Sequence, residues 1–398
     1  MDKDEIIKYV YSLESGKSLL KLINLVAEDE FKTGNNKFNG FSMKQLKFYC
    51  NSNKTKNKYI KFKIKKKSGG EREIFAPCIT LKMMQVCVNK IIQAVYVPSK
   101  NACGFIPNRS IVDGALRHIG KNYVFNTDLK DFFPSITQAR VWKRFQLPPF
   151  NFNKQVSNIL AGLCCFKMDQ KMVLPQGAPS SPILTNAICD NLDRRLNGVA
   201  KRFHLTYSRY ADDISFSSMH NVYQEGSEFR EELKRIVEGQ NFTINDKKTR
   251  LCRHRERQEV TGLTVNTKLN VAKKYVRELR VVLHLWETKG YITATNVFIP
   301  HRLKELANMP QGIPHLENII DGKLNYLKMV KGDTDQTYCK LKVRFDLLVE
   351  KMKGITAVDL IQNDTKKTNI ENKETNIDVD IDELLKIVED FEQKKDDQ

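Results

Sequence analysis

The twelve residues YSRYADDISFSS, positions 207–218, govern how the rest of the chain is read. β-Favouring residues on either side of Asp212 and Asp213 mark two short strands, 205–210 and 214–218, joined by a tight step. The two acids therefore sit at the tip of a hairpin. Acid pairs are common on protein surfaces, but here the apolar flanks would bury most of the hairpin. Carboxylates left without partners in such a place are costly, and a bound cation is the simplest compensation.

Upstream, YVFNTD at 123–128 is another short apolar strand, and it ends in Asp128. Mg2+ is a hard ion that takes one or two carboxylates together with substrate phosphates. Two such ions, about 3.5–4 Å apart, can activate an attacking hydroxyl and stabilise a leaving pyrophosphate. Acids at the ends of neighbouring strands could supply that clamp, so Asp128, Asp212 and Asp213 are the candidate catalytic and metal-binding residues.

Three motifs stand in a characteristic order: TDLKDFFPS at 127–135, LPQGAPSSP at 174–182 and YADD at 210–213. Together they resemble the reverse transcriptases, YADD being similar to that family's YxDD signature. The resemblance implies an α+β right-hand polymerase with fingers, a palm made of an antiparallel sheet with helices, and a helical thumb. It implies that Asp128 and Asp212, with the Leu129 carbonyl beside them, hold two Mg2+ ions, Mn2+ being the substitute, and that Asp213 is the third acid. Phe133 matches the steric gate that would collide with a 2′-hydroxyl and favour dNTPs. Gln176 and Gly177 match the loop bordering the incoming nucleotide, where glycine admits close backbone approach.

Residues 59–64 alternate apolar and basic residues, and KKKSGGEREIFAP at 65–77 turns at Gly69-Gly70 into a second strand. One face of this hairpin should carry Lys61, Lys63 and Lys65. By the resemblance, Lys65 and Arg72 lie where the fingers grip the triphosphate. Arg72 suits bidentate phosphate contacts, whereas the run of three lysines leaves the choice of lysine open.

Within the family, the pattern looks most like the bacterial retron type. GFIPNRSI at 104–111 and Val260-Thr261-Gly262 support this, while GALRH at 114–118 places Gly114 where the retron pattern has asparagine. Both a retron and a related defence-associated reverse transcriptase fit. The implied partners are a structured non-coding RNA serving as template and also as primer, the DNA product, and dNTPs. A catalytically silent RNA-binding scaffold and an RNA-dependent RNA polymerase are the alternative readings.

Bulk properties agree with a nucleic-acid partner. The 398 residues carry a formal +19, and positions 355–398 hold 6 basic against 13 acidic residues, leaving +26 on the first 354. The nine cysteines include no CxxC spacing, so neither a disulfide framework nor a zinc knuckle is expected. A charged start and the lack of a long apolar run argue against secretion and membrane insertion and for a cytoplasmic protein.

The expected domains are an N-terminal helical region at 1–55, fingers at 56–125, a palm at 126–268 that contains a fingers segment at 141–172, a helical thumb at 269–352, and an acidic linker and amphipathic helix at 353–398. In the thumb, Lys273, Lys274, Arg277 and Arg280 are candidates for contacts along a template-primer duplex, since A-form helices are recognised mainly by shape and backbone. Ile377, Ile381, Leu384, Val388 and Phe391 space a terminal helix whose acidic surround suits a protein effector or a second copy of the chain. The lone histidines His118, His254 and His284 are read as structural.

Overall fold

The computed structural model describes residues 1–32, 38–51, 58–65, 69–306 and 314–362. Its contacts divide the chain into two compact units, Met1–Thr261 with Val265–Lys268, and Gly262–Thr264 with Leu269–Gln398. The expected linker at 362–376, from its second residue on, and the expected terminal helix with Ile377 to Phe391 lie outside the described residues.

The first unit opens with α1 (Lys3–Tyr11), α2 (Gly16–Phe31) and α3 (Met43–Cys50), each begun by a capping box, at Asp2, Ser15 and Ser42. Next come the antiparallel strands β1 (Tyr59–Lys65) and β2 (Glu71–Pro77), then α4 (Ile79–Val95) and the short α5 (Ile111–Ala115). Leu19, Leu22 and Ile23 of α2 and Met84, Cys87 and Val88 of α4 are buried in one apolar core.

Strand β3 (Tyr123–Asp128) is followed by α6 (Gln138–Phe145) and α7 (Lys154–Cys164). Pro148-Pro149 separates the two helices, because neither proline can donate a helical hydrogen bond. A small hairpin that the sequence reading missed, β4 (Phe166–Met168) and β5 (Lys171–Val173), leads into the loop containing Gln176 and then into α8 (Ser181–Arg202).

Strands β6 (Thr206–Tyr210) and β7 (Asp213–Ser218), helix α9 (Glu228–Gly239) and strand β8 (Arg250–Arg253) complete the element order of this unit's main layers. The four-stranded antiparallel sheet runs β6-β7-β3-β8. Strand β8 pairs with β3, Asn126 opposite Arg250 and Tyr123 opposite Arg253, and forms the sheet's edge.

Alternation along these strands gives the sheet two different faces. Tyr207, Phe216 and Phe125 align in register and are buried, with Phe229 of α9 edge-on to Phe216 and Phe125. The other face is polar: Asn126, Ser215 and Ser208 align, and His118 bridges Ser208 and Ser217 at 2.8 and 2.7 Å. His118 is therefore structural, as expected.

The second unit contains α10 (Lys273–Lys289), α11 (Tyr291–Leu306), α12 (Leu316–Lys331) and α13 (Gln336–Gln362). Leu279, Val282 and Trp286 of α10 are buried, as their helical spacing requires. Helix α13 continues ten residues past the expected thumb boundary at 352. Among the described residues no helix is long and apolar enough to cross a membrane.

Candidate active site

Strand register brings the three acids together. Asp128, the last residue of β3, pairs directly with Asp213, the first of β7, and Tyr210 closes β6 opposite Asp213. Only Ala211 and Asp212 remain to make the turn. Its shape needs a left-handed residue, and Ala211 supplies it with φ 54. The Asp212 carbonyl accepts a hydrogen bond from the Leu129 N–H at 3.1 Å, which ties the turn to the residue after Asp128.

Asp128 is buried and partly compensated. Its carboxylate accepts from Lys248 Nζ at 3.0 Å and from Asn245 Nδ2 at 3.2 Å, and its carbonyl accepts from the Asn245 N–H at 2.8 Å. Neither Asn245 nor Lys248 was singled out from the sequence. They lie more than a hundred residues from Asp128, and only folding of the chain after α9 brings them close.

Asp212 is not compensated in this way. Desolvation, then the charges of Asp128 and Asp213, push its carboxyl up to about 7. Asp213 is also raised, by desolvation and Asp128, with Lys248 and Arg250 opposing. Such a deficit of positive charge suits divalent cations. Among the described residues no three His, Cys, Asp or Glu side chains form a ready-made metal cage. Mg2+ takes one or two carboxylates together with substrate phosphates. Asp128, Asp212 and Asp213, with the Leu129 carbonyl, are a hard oxygen donor set that fits the ion.

Phe133 lies in the turn after β3. The Ser135 N–H donates to the Asp131 carbonyl at 2.9 Å and Ser135 Oγ to the Phe132 carbonyl at 2.7 Å. This turn buries Phe132 and leaves Phe133 half-buried, its ring 6.3 Å from that of Phe105. The loop carrying Gln176 is stitched on both sides. The Leu174 N–H donates to the Ile136 carbonyl at 2.9 Å, and the Phe75 N–H of β2 donates to the Gln176 carbonyl, also at 2.9 Å. Gly177 has φ 117, and a Cβ there would lie 2.7 Å from Ile74 Cγ2, so both conformation and contact require glycine.

The β1–β2 hairpin separates two of the candidate residues. Lys65 pairs with Glu71, and Ile64 pairs with Arg72, so Lys65 and Arg72 point to opposite faces. The lysine face is neutralised: Lys61 bridges Glu73 at 2.7 Å and Lys63 bridges Glu71 at 2.6 Å. Arg72 shares its face with Ile74, the residue that meets Gly177. Arg72, unlike Lys65, therefore lies on the hairpin face that meets Gly177. In the second unit, Lys273, Lys274 and Arg277 are exposed on α10 and Arg280 is half-buried.

The fold is that of a right-hand polymerase, with acids at adjoining strand ends and a glycine loop held by β2. The family described as reverse transcriptase (RNA-dependent DNA polymerase) matches residues 64–266, and the chain belongs to it, with the family's right-hand fold. The chain is 39% identical over 240 residues to the retron Mx65 reverse transcriptase of Myxococcus xanthus, covering 57% of this chain and 55% of that one. It is 38% identical over 216 residues to the retron Ec86 reverse transcriptase of Escherichia coli, covering 54% and 64%. A third relative, the retron Mx162 reverse transcriptase of Myxococcus xanthus, is 33% identical over 276 residues, covering 62% and 56%. The matches thus span between about half and two thirds of these relatives.

Proposed function

We propose that the chain is an RNA-directed DNA polymerase that copies a structured non-coding RNA into DNA, as the template-bound enzyme of a retron-type antiphage system in the cytoplasm. The observation that carries the reading is the register of Asp128 with Asp213 and the tip position of Asp212, which concentrates three acids at one end of a sheet. Asp128, Asp212 and Asp213, with the Leu129 carbonyl, would hold two Mg2+ ions, which supply activation of the primer hydroxyl and charge neutralisation at the leaving pyrophosphate.

The protein's own residues supply the rest. Lys248 and Asn245 hold Asp128 in a fixed orientation. Arg72 offers a forked cation to the triphosphate. Gln176 and Gly177 form the backbone edge along which the incoming nucleotide lies, and Phe133 excludes the 2′-hydroxyl. Lys273, Lys274, Arg277 and Arg280 contact the backbone of the template-primer duplex without reading its sequence.

Primer extension with dNTPs on an RNA template tests the reading. Wild type is expected to extend, and the double variant Asp212→Asn, Asp213→Asn to lose at least roughly 10³-fold in rate, the scale of removing preorganised charge stabilisation. Equal activity in the double variant sinks the proposal. Phe133→Ala is expected to admit rNTPs, and sequencing the nucleic acid that copurifies with the chain identifies the template.

A further inference from the structure

We propose that Arg209 is a positioning residue of the polymerase centre: from inside the core it holds the peptide that carries Asp212. The proposal rests on the polymerase reading above and adds a residue to it.

Arg209 lies on β6 and is fully buried, 1% exposed. Nε donates to Asp193 Oδ1 and Nη2 to Asp193 Oδ2, both at 2.7 Å, so one fork is closed by a carboxylate of α8. Nη1 turns the other way and donates to the Ala211 carbonyl at 2.9 Å. That carbonyl belongs to the peptide linking Ala211 to Asp212. Nη2 also reaches Asn186 Oδ1 at 3.2 Å, and Asn186 Nδ2 donates to the Gly104 carbonyl at 2.9 Å. Gly104 abuts the turn so closely that a Cβ there would lie 2.9 Å from the Ala211 nitrogen. Tyr207 Oη holds Asp193 from the strand at 2.7 Å.

These contacts converge on a single strained point. Ala211 has φ 54, a conformation that costs an alanine more than a glycine and persists only where its surroundings enforce it. A hydrophobic replacement of a buried ion pair often stabilises a fold as well as the pair does, so stability alone does not account for Arg209. An apolar side chain cannot hold the Ala211 carbonyl. Arginine can, because its planar fork offers several donors in fixed directions, whereas lysine offers one compact charge.

Asn186 and Asp193 both lie on α8, the helix that begins four residues after Gly177. Arg209 therefore ties the acid-bearing turn to the element that issues from the nucleotide loop. Sequence reading passed it over because an arginine between Ser208 and Tyr210 resembles any solvent-facing strand residue.

The test uses the full chain with Arg209→Lys, Asn186→Ala and, as a destabilised control that leaves every hydrogen bond of Arg209 and Asn186 in place, Tyr96→Phe, which removes a bond from the residue after α4 to Asp190 of α8. Three quantities are measured: melting midpoint, amide hydrogen exchange of residues 209–214 without divalent ions, and Mn2+ binding followed by electron paramagnetic resonance. Arg209→Lys and Asn186→Ala are expected to exchange faster at 211–214 and to bind Mn2+ roughly tenfold or more weakly, the usual effect of removing a group that orients metal ligands. The Mg2+ concentration for half-maximal dNTP incorporation should rise in parallel. Tyr96→Phe should lower the melting midpoint only.

Wild-type exchange and Mn2+ affinity in both Arg209→Lys and Asn186→Ala overturn the proposal, as does an equal change in Tyr96→Phe. If Arg209→Lys does not fold, Asn186→Ala decides by the same measurements. Exchange and Mn2+ binding need no turnover, so a wild type that incorporates no dNTP refutes the polymerase reading without deciding this one.

Discussion

Asp193 and Asp212 are nineteen positions apart, within the same unit, and they are treated in opposite ways. Asp193 is 1% exposed, yet its two oxygens receive Arg209 Nε, Arg209 Nη2 and Tyr207 Oη, each at 2.7 Å. Asp212 is less buried, and the charges of Asp128 and Asp213 dominate its surroundings. One carboxylate is satisfied by the protein, while the other is crowded by like charge. The contrast shows that burial alone does not mark a functional acid. What marks it is burial without compensation.

The largest effect should come from breaking the satisfied acid. Asp193→Ala leaves the Arg209 charge buried and unpaired, a loss on the order of 3–5 kcal/mol for such a pair. Chemical denaturation of the variant should show that loss at constant m-value, and a change below about 1 kcal/mol would contradict the account of the pair.

The hairpin repeats the comparison with cations. Lys61 and Lys63 are bridged to Glu73 and Glu71, whereas Arg72 lies on the face that meets Gly177 and has no acid partner among the described residues. Arg72→Ala should raise the KM for dNTP by roughly tenfold or more, matching about 1.5–3 kcal/mol for a charged hydrogen bond. Lys65→Ala, on the opposite face, should leave KM within about twofold on the same scale. Steady-state titration of each dNTP separates them, and equal effects would remove the assignment of faces.

Neutralising the uncompensated acid should act in the other direction. In chelator, Asp212→Asn removes a like charge beside Asp128 and Asp213, so the metal-free protein should gain about 1 kcal/mol in stability. A melting midpoint that falls would mean that Asp212 is already satisfied within the fold.

Much of this site was legible because its chemistry is carried by contiguous residues. Asp128 closes an apolar strand, Asp212 and Asp213 fill a hairpin tip, and the glycine of LPQG stands where backbone contact demands it. The lysine face was read in isolation, although Glu71 and Glu73 in EREIFAP fall opposite it once the Gly69-Gly70 turn sets the register. That correction was available from alternation alone. The roles of Lys248, Asn245 and Arg209 were not. Each depends on contacts between distant segments, and β8 joins the sheet through a pairing that its four residues, RLCR, do not announce.

The smallest expected effect sharpens the comparison with a neutral group. His118 is wholly buried, and with an uncharged ring one nitrogen donates to a serine hydroxyl while the other accepts, between Ser217 and Ser208. Burial, helped by the charges of Arg117 and Lys121, lowers its pKa to about 3. Below the ordinary histidine value the unfolded chain takes up a proton that the folded chain refuses, so stability must fall as the pH drops. From pH 7 to 6 the loss attributable to this ring is about 0.7 kcal/mol for an unfolded-state pKa near 6.5. His118→Gln should lower stability at both pH values while removing that increment from the difference between them. The measurement is urea denaturation of both proteins at the two pH values. An unchanged pH slope in the variant would show that burial does not keep the imidazole neutral, and that the polar face of the sheet is hydrated where the structure has it closed.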